Sequence, residues 1–236
     1  TAIVLLTLAV GCEESTDLTG VTEAADAFDE FSGSVIIYAS GDEITIETDG
    51  LPDHTSPYWS PDHELHVEST VAEMLVPGYI DDFSGSYTLT VPAAPEKASS
   101  SSATGLGPIG IAVSGAPIYN DQEGPGDPLD DAIGGLDYTG AHTGPMSYHY
   151  HLEPAAWSVN DDELIGIIAD GFLLYGRKCA SVSDHPDDLD VSGGHTATTQ
   201  HFETEMYHYH ITNEAYLGEY YILFAGDYQG TPSAIQ

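Results

Sequence analysis

The stretch SVIIYASGDEITIETDG, residues 34–50, alternates apolar and polar positions on both sides of Ser40-Gly41. A period of two broken by a turn pair predicts a β-hairpin. SYTLTVP, residues 86–92, repeats the alternation and stops at a proline, which cannot donate to a strand ladder, so a third strand is expected there. Helical periodicity is scarce, and TEAADAFDEF (22–31) is the best site for a short helix. AAPEKASSSSATGLGP (93–108) is rich in Pro, Ser and Gly and reads as a flexible loop that sets an N-terminal β region apart from the rest.

Beyond that loop the pattern recurs. IGIAVSGAPIYN (109–120) aligns without gaps with IGIIADGFLLYG (165–176), 56 residues on. GLDYTGAHTG (135–144) matches DLDVSGGHTA (188–197) 53 residues on, and two copies of YHYH, at 148–151 and 207–210, lie 59 apart. Three matches in one order predict a duplicated unit: apolar strand, Gly turn, short strand, acidic loop, Leu-Asp with a histidine, then a Tyr/His strand. Two copies are too few for a solenoid, so the expected fold is all-β, or β-rich with short helices: a sandwich-like body containing two pseudo-twofold-related repeats. The expected organisation is one domain over 34–236, with 34–104 as the N-terminal β region, 105–160 as the first repeat, and 161–236 as the second repeat and tail.

Alternation also divides the chemistry of the repeated tetrapeptide. Successive side chains on a strand face opposite ways, so His149 and His151 share one face and Tyr148 and Tyr150 the other. His208 and His210 stand against Tyr207 and Tyr209 in the same way. Two imidazoles about 7 Å apart at their bases can lean onto one cation, and a third histidine would complete a three-imidazole site. His142 and His195, each just after a Gly-containing turn, are placed to do so, with Asp137 and Asp190 as acceptors for an imidazole N–H. The sequence leaves two arrangements open: two separate triads, or one site shared by the four strand histidines. Nitrogen-rich donors favour copper or zinc. The competing reading is a Tyr/His pairing surface with no metal, its imidazoles bonded to carboxylates. His54, His63, His66, His185 and His201 lie in polar surroundings and are expected at the surface.

The order of these blocks resembles the YHYH-domain family of bacterial and other secreted proteins. TDGLPDH with the following SPYW, GPIGIAVSGAPIYN, GAHTGPMSYHYH, IGIIADGFLLYG and the second YHYH carry the resemblance. It implies a secreted or lipid-anchored domain and assigns no activity. Where some relatives use cysteines this chain has DYTGAH, so no disulfide framework is expected.

Composition narrows the partners. Three basic residues stand against 39 acidic ones, a net charge of −36, which repels nucleic acid and anionic lipid. Such a surface suits a salty medium, and a marine or halophilic source is expected. The first residues, TAIVLLTLAVGC, read as the end of a lipoprotein signal (1–11), with Cys12 as the lipidated residue and 12–33 as an acidic linker. The expected location is extracytoplasmic, held to the cell envelope only through the lipid on Cys12. Cys179, the other cysteine, is expected to be buried. Arg177 and Lys178 are expected to balance local acid.

The first functional reading is therefore a lipid-anchored protein that binds copper or zinc through its histidines. A metal-dependent hydrolase or oxidase using the same histidines is the second, with Asp170 in IIADGF as the candidate base, although ADG is also a good turn. A surface adhesion or scaffold module without metal, meeting a protein or glycan, is the third.

Overall fold

A computed structural model describes residues 26–69, 76–144 and 147–236. Cys12, the apolar leader and most of the acidic linker lie outside the described residues. Within them no helix is long and apolar enough to cross a membrane.

The alternating N-terminal segment forms the expected hairpin: β1 (Ile36–Ser40) and β2 (Glu43–Thr48) pair antiparallel with Ser40 opposite Glu43. β3 (Tyr87–Pro92) adds to β2, with Ile46 opposite Leu89 and Ile44 opposite Val91. These four side chains are buried, so one face of this three-stranded sheet faces the core. The expected helix at 22–31 is represented among the described residues by a single turn at 26–28.

The remaining strands are short: β4 (Gly110–Ala112), β5 (Pro117–Ile118), β6 (Gln122–Glu123), β7 (Asp127–Pro128), β8 (Ala141–Thr143), β9 (Tyr148–Tyr150), β10 (Leu164–Ile168), β11 (Leu173–Tyr175), β12 (Gly194–Ala197) and β13 (Met206–His210). β6 and β7 form a separate small hairpin. The other eight make one mixed sheet in the order β12-β13-β11-β10-β4-β5-β9-β8, curled into a half-barrel. From either edge inward the sheet runs through an antiparallel pair, a parallel step and another antiparallel pair, and the halves meet where β4 and β10 pair antiparallel.

The expected sandwich of two repeats is thus replaced by one continuous curled sheet with smaller sheets beside it. Hydrophobic periodicity locates strands, but β4 and β10 are buried along their whole length and read as continuous apolar runs, so nothing in them announces which neighbour they pair with. One core joins Ile111, Ile118, Ile165 and Ile167 of the large sheet with Ile46 and Leu89 of the small one. The tyrosines of both tetrapeptides belong to that core: Tyr148, Tyr150, Tyr207 and Tyr209 are all buried.

Candidate metal centre

Each Tyr/His strand pairs with the strand that carries the upstream histidine. In the β8–β9 ladder His142 stands directly opposite His149, and in β12–β13 His195 stands opposite His208. Antiparallel partners point to the same face, so each register brings two imidazoles together, and the next same-face position adds His151 or His210. The turns that allow this pairing are built alike. The carboxylate of Asp137 accepts the backbone N–H of Thr139, and that of Asp190 accepts those of Ser192 and Gly194. Each turn then passes through a glycine with positive φ, Gly140 at +76° and Gly193 at +78°, which a side chain would strain.

The six histidines form two separate buried clusters, not one shared site. Glu123, His142, His149 and His151 make one, and Cys179, His195, His208 and His210 the other, with the potential donor atoms of each within 4.8 Å of one another. In the first, His142 Nε2 lies 3.1 Å from His149 Nε2 and 3.1 Å from Glu123 Oε1, and His151 Nε2 lies 3.2 Å from the same oxygen. In the second, His208 Nε2 lies 3.2 Å from His195 Nε2, 3.0 Å from His210 Nε2 and 3.8 Å from Cys179 Sγ. Tetrahedral zinc holds two nitrogens about 3.3 Å apart and a nitrogen and a sulfur about 3.6 Å apart, as follows from its bond lengths. The observed spacings therefore match donors arranged around one small ion.

Hydrogen bonds on the far side of the rings fix what points inward. His151 Nδ1 donates to the Asn120 carbonyl at 2.7 Å, and His210 Nδ1 to the Gly176 carbonyl at 2.7 Å. The parallel steps β5–β9 and β11–β13 supply these carbonyls, each just past the end of the inner strand. His149 and His208 direct Nδ1 to the carbonyls two residues before them, Ser147 at 3.3 Å and Met206 at 3.0 Å. His195 Nδ1 meets the Asp188 carboxylate at 2.7 Å. A carbonyl or carboxylate oxygen only accepts, so Nδ1 carries the proton and Nε2 presents a bare lone pair. Burial reinforces that state, pushing His208 down to about 4, His210 to about 3 and His149 well below the ordinary imidazole range. The Nε2 contact between His208 and His210 is consequently lone pair against lone pair, which a cation relieves and a hydrogen bond does not. In the first cluster Glu123 Oε1 and His151 Nε2 are both buried without a hydrogen-bond partner.

The opposite face of the same strands is a phenol network. Tyr148 donates to Asp137 Oδ2 at 2.7 Å and Tyr207 to Asp190 Oδ2 at 2.8 Å. Asp137 and Asp190, expected to support imidazoles, thus anchor phenols and cap turns, because the turn projects their carboxylates onto the tyrosine side. Asp188, two residues earlier than Asp190, serves His195 instead. Asp170 also belongs to the phenol side: buried, it accepts Tyr209 at 2.6 Å and the backbone N–H groups of Gln229 and Gly230 at 3.0 Å each. It is a structural node and lies in neither cluster, which places it away from the role of a base acting on metal-bound water. At the equivalent place near Tyr150 stand Ser114 Oγ, at 2.8 Å, and His54 Nε2, at 2.5 Å. His54 is therefore bound to the phenol network, although its polar sequence context suggests the surface.

Glu123 and Cys179 do not emerge from the histidine pattern. Cys179 is buried, as expected of a lone thiol, yet its sulfur faces the histidines. The two residues lie 56 apart, the spacing of the blocks that begin at 109 and 165, so extending that match by three residues past 120 and 176 would have set them opposite each other. Arg177 pairs with Glu153 at 2.9 Å and Asp161 at 2.6 Å, and Lys178 with Asp161 at 3.4 Å, which is the expected local neutralisation. A cavity of about 350 Å³ lined by Asp184, His185, Asp187 and Asp188 reaches His195 of the second cluster.

No curated protein and no solved structure matches the chain. A family model described as YHYH protein matches residues 88–187, a span that contains the whole first cluster and Cys179 but ends before His195, His208 and His210. The polar face of the first tetrapeptide and its surroundings thus lie inside the match, and the chain carries a YHYH protein family domain over residues 88–187.

Proposed function

We propose that this is an extracytoplasmic, lipid-anchored protein that binds two transition-metal ions, copper or zinc, one in each histidine cluster of a duplicated unit. The observation that carries this reading is the inward convergence of unprotonated Nε2 atoms whose Nδ1 atoms are tied to oxygen acceptors, a pattern found in five of the six rings. A Tyr/His pairing surface without metal has no use for it: bare imidazole nitrogens facing one another in a buried site are unfavourable unless a cation lies between them. The equal spacing of Glu123 and Cys179 in the two sequence blocks and the strand order that reads alike from both edges support the duplication.

Four donors per cluster fill a tetrahedron, the arrangement of a closed binding site, whereas zinc hydrolases keep a position for water. Binding, storage or delivery of metal is favoured over hydrolysis on that ground. The signal-like leader ending at Cys12 supports the extracytoplasmic location, and the −36 charge supports a saline one.

The test is metal analysis of the full chain, purified without a His-tag and then reconstituted. Two equivalents are expected for the wild type, and one each for His149→Ala and His208→Ala. A folded wild-type chain that carries no metal and takes none up would overturn the reading.

A further inference from the structure

The two clusters share three buried imidazoles and one acidic fourth donor, so a bound ion would meet the same formal charge in each. What differs is the fourth atom. Glu123 offers a hard oxygen, and its side chain is 29% exposed. Cys179 offers a soft, polarisable sulfur, and the residue is 1% exposed. Its loop is held by backbone hydrogen bonds from Cys179 N to Asp184 O at 3.0 Å and from Ser183 N to Cys179 O at 2.8 Å, which aim the sulfur at His208. Thiolate and imidazole in a dry site suit Cu(I), while carboxylate with imidazoles in a wetter one suits a borderline divalent ion.

Resting on the metal reading above, we propose that the fourth donor sorts metals between the clusters: Cys179, His195, His208 and His210 hold Cu(I), and Glu123, His142, His149 and His151 hold Zn(II). The cavity beside His195, with Asp184, Asp187 and Asp188 in its wall, sets carboxylates that attract a cation next to one ring of the thiolate cluster. Cys179 is thereby a ligand, not a buried structural thiol.

The experiment uses the full chain, anaerobic and reduced, given one equivalent each of Cu(I) and Zn(II), with metal analysis and X-ray absorption at both edges. Copper is expected to show one sulfur neighbour and zinc only nitrogen and oxygen. In competition with a Cu(I) chelator, Cys179→Ser should lower copper affinity by more than about a hundredfold, beyond the cost of losing a supporting partner, and leave zinc at the Glu123 cluster. Glu123→Cys should gain a second Cu(I) site, a result that misfolding cannot imitate. Sulfur at zinc in place of copper, even partition of the two metals, or unchanged copper affinity in Cys179→Ser would each defeat the sorting and leave two metal sites standing. If neither metal binds the folded chain, the metal reading falls and the sorting with it.

Discussion

The Glu123 and Cys179 clusters agree in the strand registers and strand-end carbonyls that place their histidines, and differ in several of the side chains around them. Strand register sets His142 against His149 and His195 against His208, and parallel strand ends supply the Asn120 and Gly176 carbonyls. Those features match. The periphery does not: His195 has the Asp188 carboxylate at 2.7 Å, whereas the buried Nδ1 of His142 has no hydrogen-bond partner. On the phenol side Tyr209 donates to a carboxylate, while Tyr150 meets a hydroxyl and an imidazole. The lesson is that a sheet can hold a three-imidazole geometry constant while the residues around it are free to set affinity, metal preference and stability.

Acid should probe that contrast most strongly. The ordinary imidazole value is 6.5, and burial lowers His208 to about 4 and His210 to about 3, so between about pH 6.5 and 3 the unfolded chain binds more protons than the folded one. The stability contributed by these neutral rings is fully present above 6.5 and is lost as pH falls through 4 and 3. Denaturant unfolding of the metal-free chain should therefore show a loss of several kcal/mol over that range. His208→Gln with His210→Gln should remove the part of the slope that belongs to the Cys179 cluster and leave the His149 part.

A smaller effect separates the phenol networks. Tyr209→Phe removes a donor from the buried Asp170 carboxylate and should cost about 1.5–3 kcal/mol, against about 0.5–1.5 for Tyr150→Phe, which loses neutral partners. Unfolding curves measure both, and metal content should stay unchanged in each; a lost ion in Tyr209→Phe would show that the two faces are not separable. Asp188→Asn should weaken metal binding about 10–100-fold at the Cys179 cluster and not at the Glu123 cluster, read by chelator competition. Smallest is a rate: Asp184→Asn with Asp187→Asn should slow metal loading of the Cys179 cluster a few-fold at low salt and have little effect at high salt, where screening has already removed the attraction. Stopped-flow loading in both buffers distinguishes this from a change in affinity.

Much of this was legible in the chain before the fold was known. The Tyr/His alternation separates a phenol face from an imidazole face by strand geometry alone, and the turn glycines locate His142 and His195. The fourth donors were hidden for opposite reasons. Glu123 is one of 39 acidic residues and has no contrast against that background, while Cys179 has contrast but no neighbouring motif. Asp137 and Asp190 lie near the right histidines in sequence, but a turn decides which side of the sheet their carboxylates reach. The strand order was hidden because short, wholly buried strands such as Pro117–Ile118 carry no period, and the parallel steps depend on long connections that sequence pattern does not direct.

β8 and β12 are the outermost strands of the eight-stranded sheet, three and four residues long, and each contributes one histidine to a cluster whose other two lie on or just beyond the adjacent strand. An ion held there would rivet each rim of the sheet to its interior, in a register that a slip of one residue would abolish. Stripping it would be felt first as fraying at both margins, leaving unsatisfied backbone groups that a second molecule could pair with.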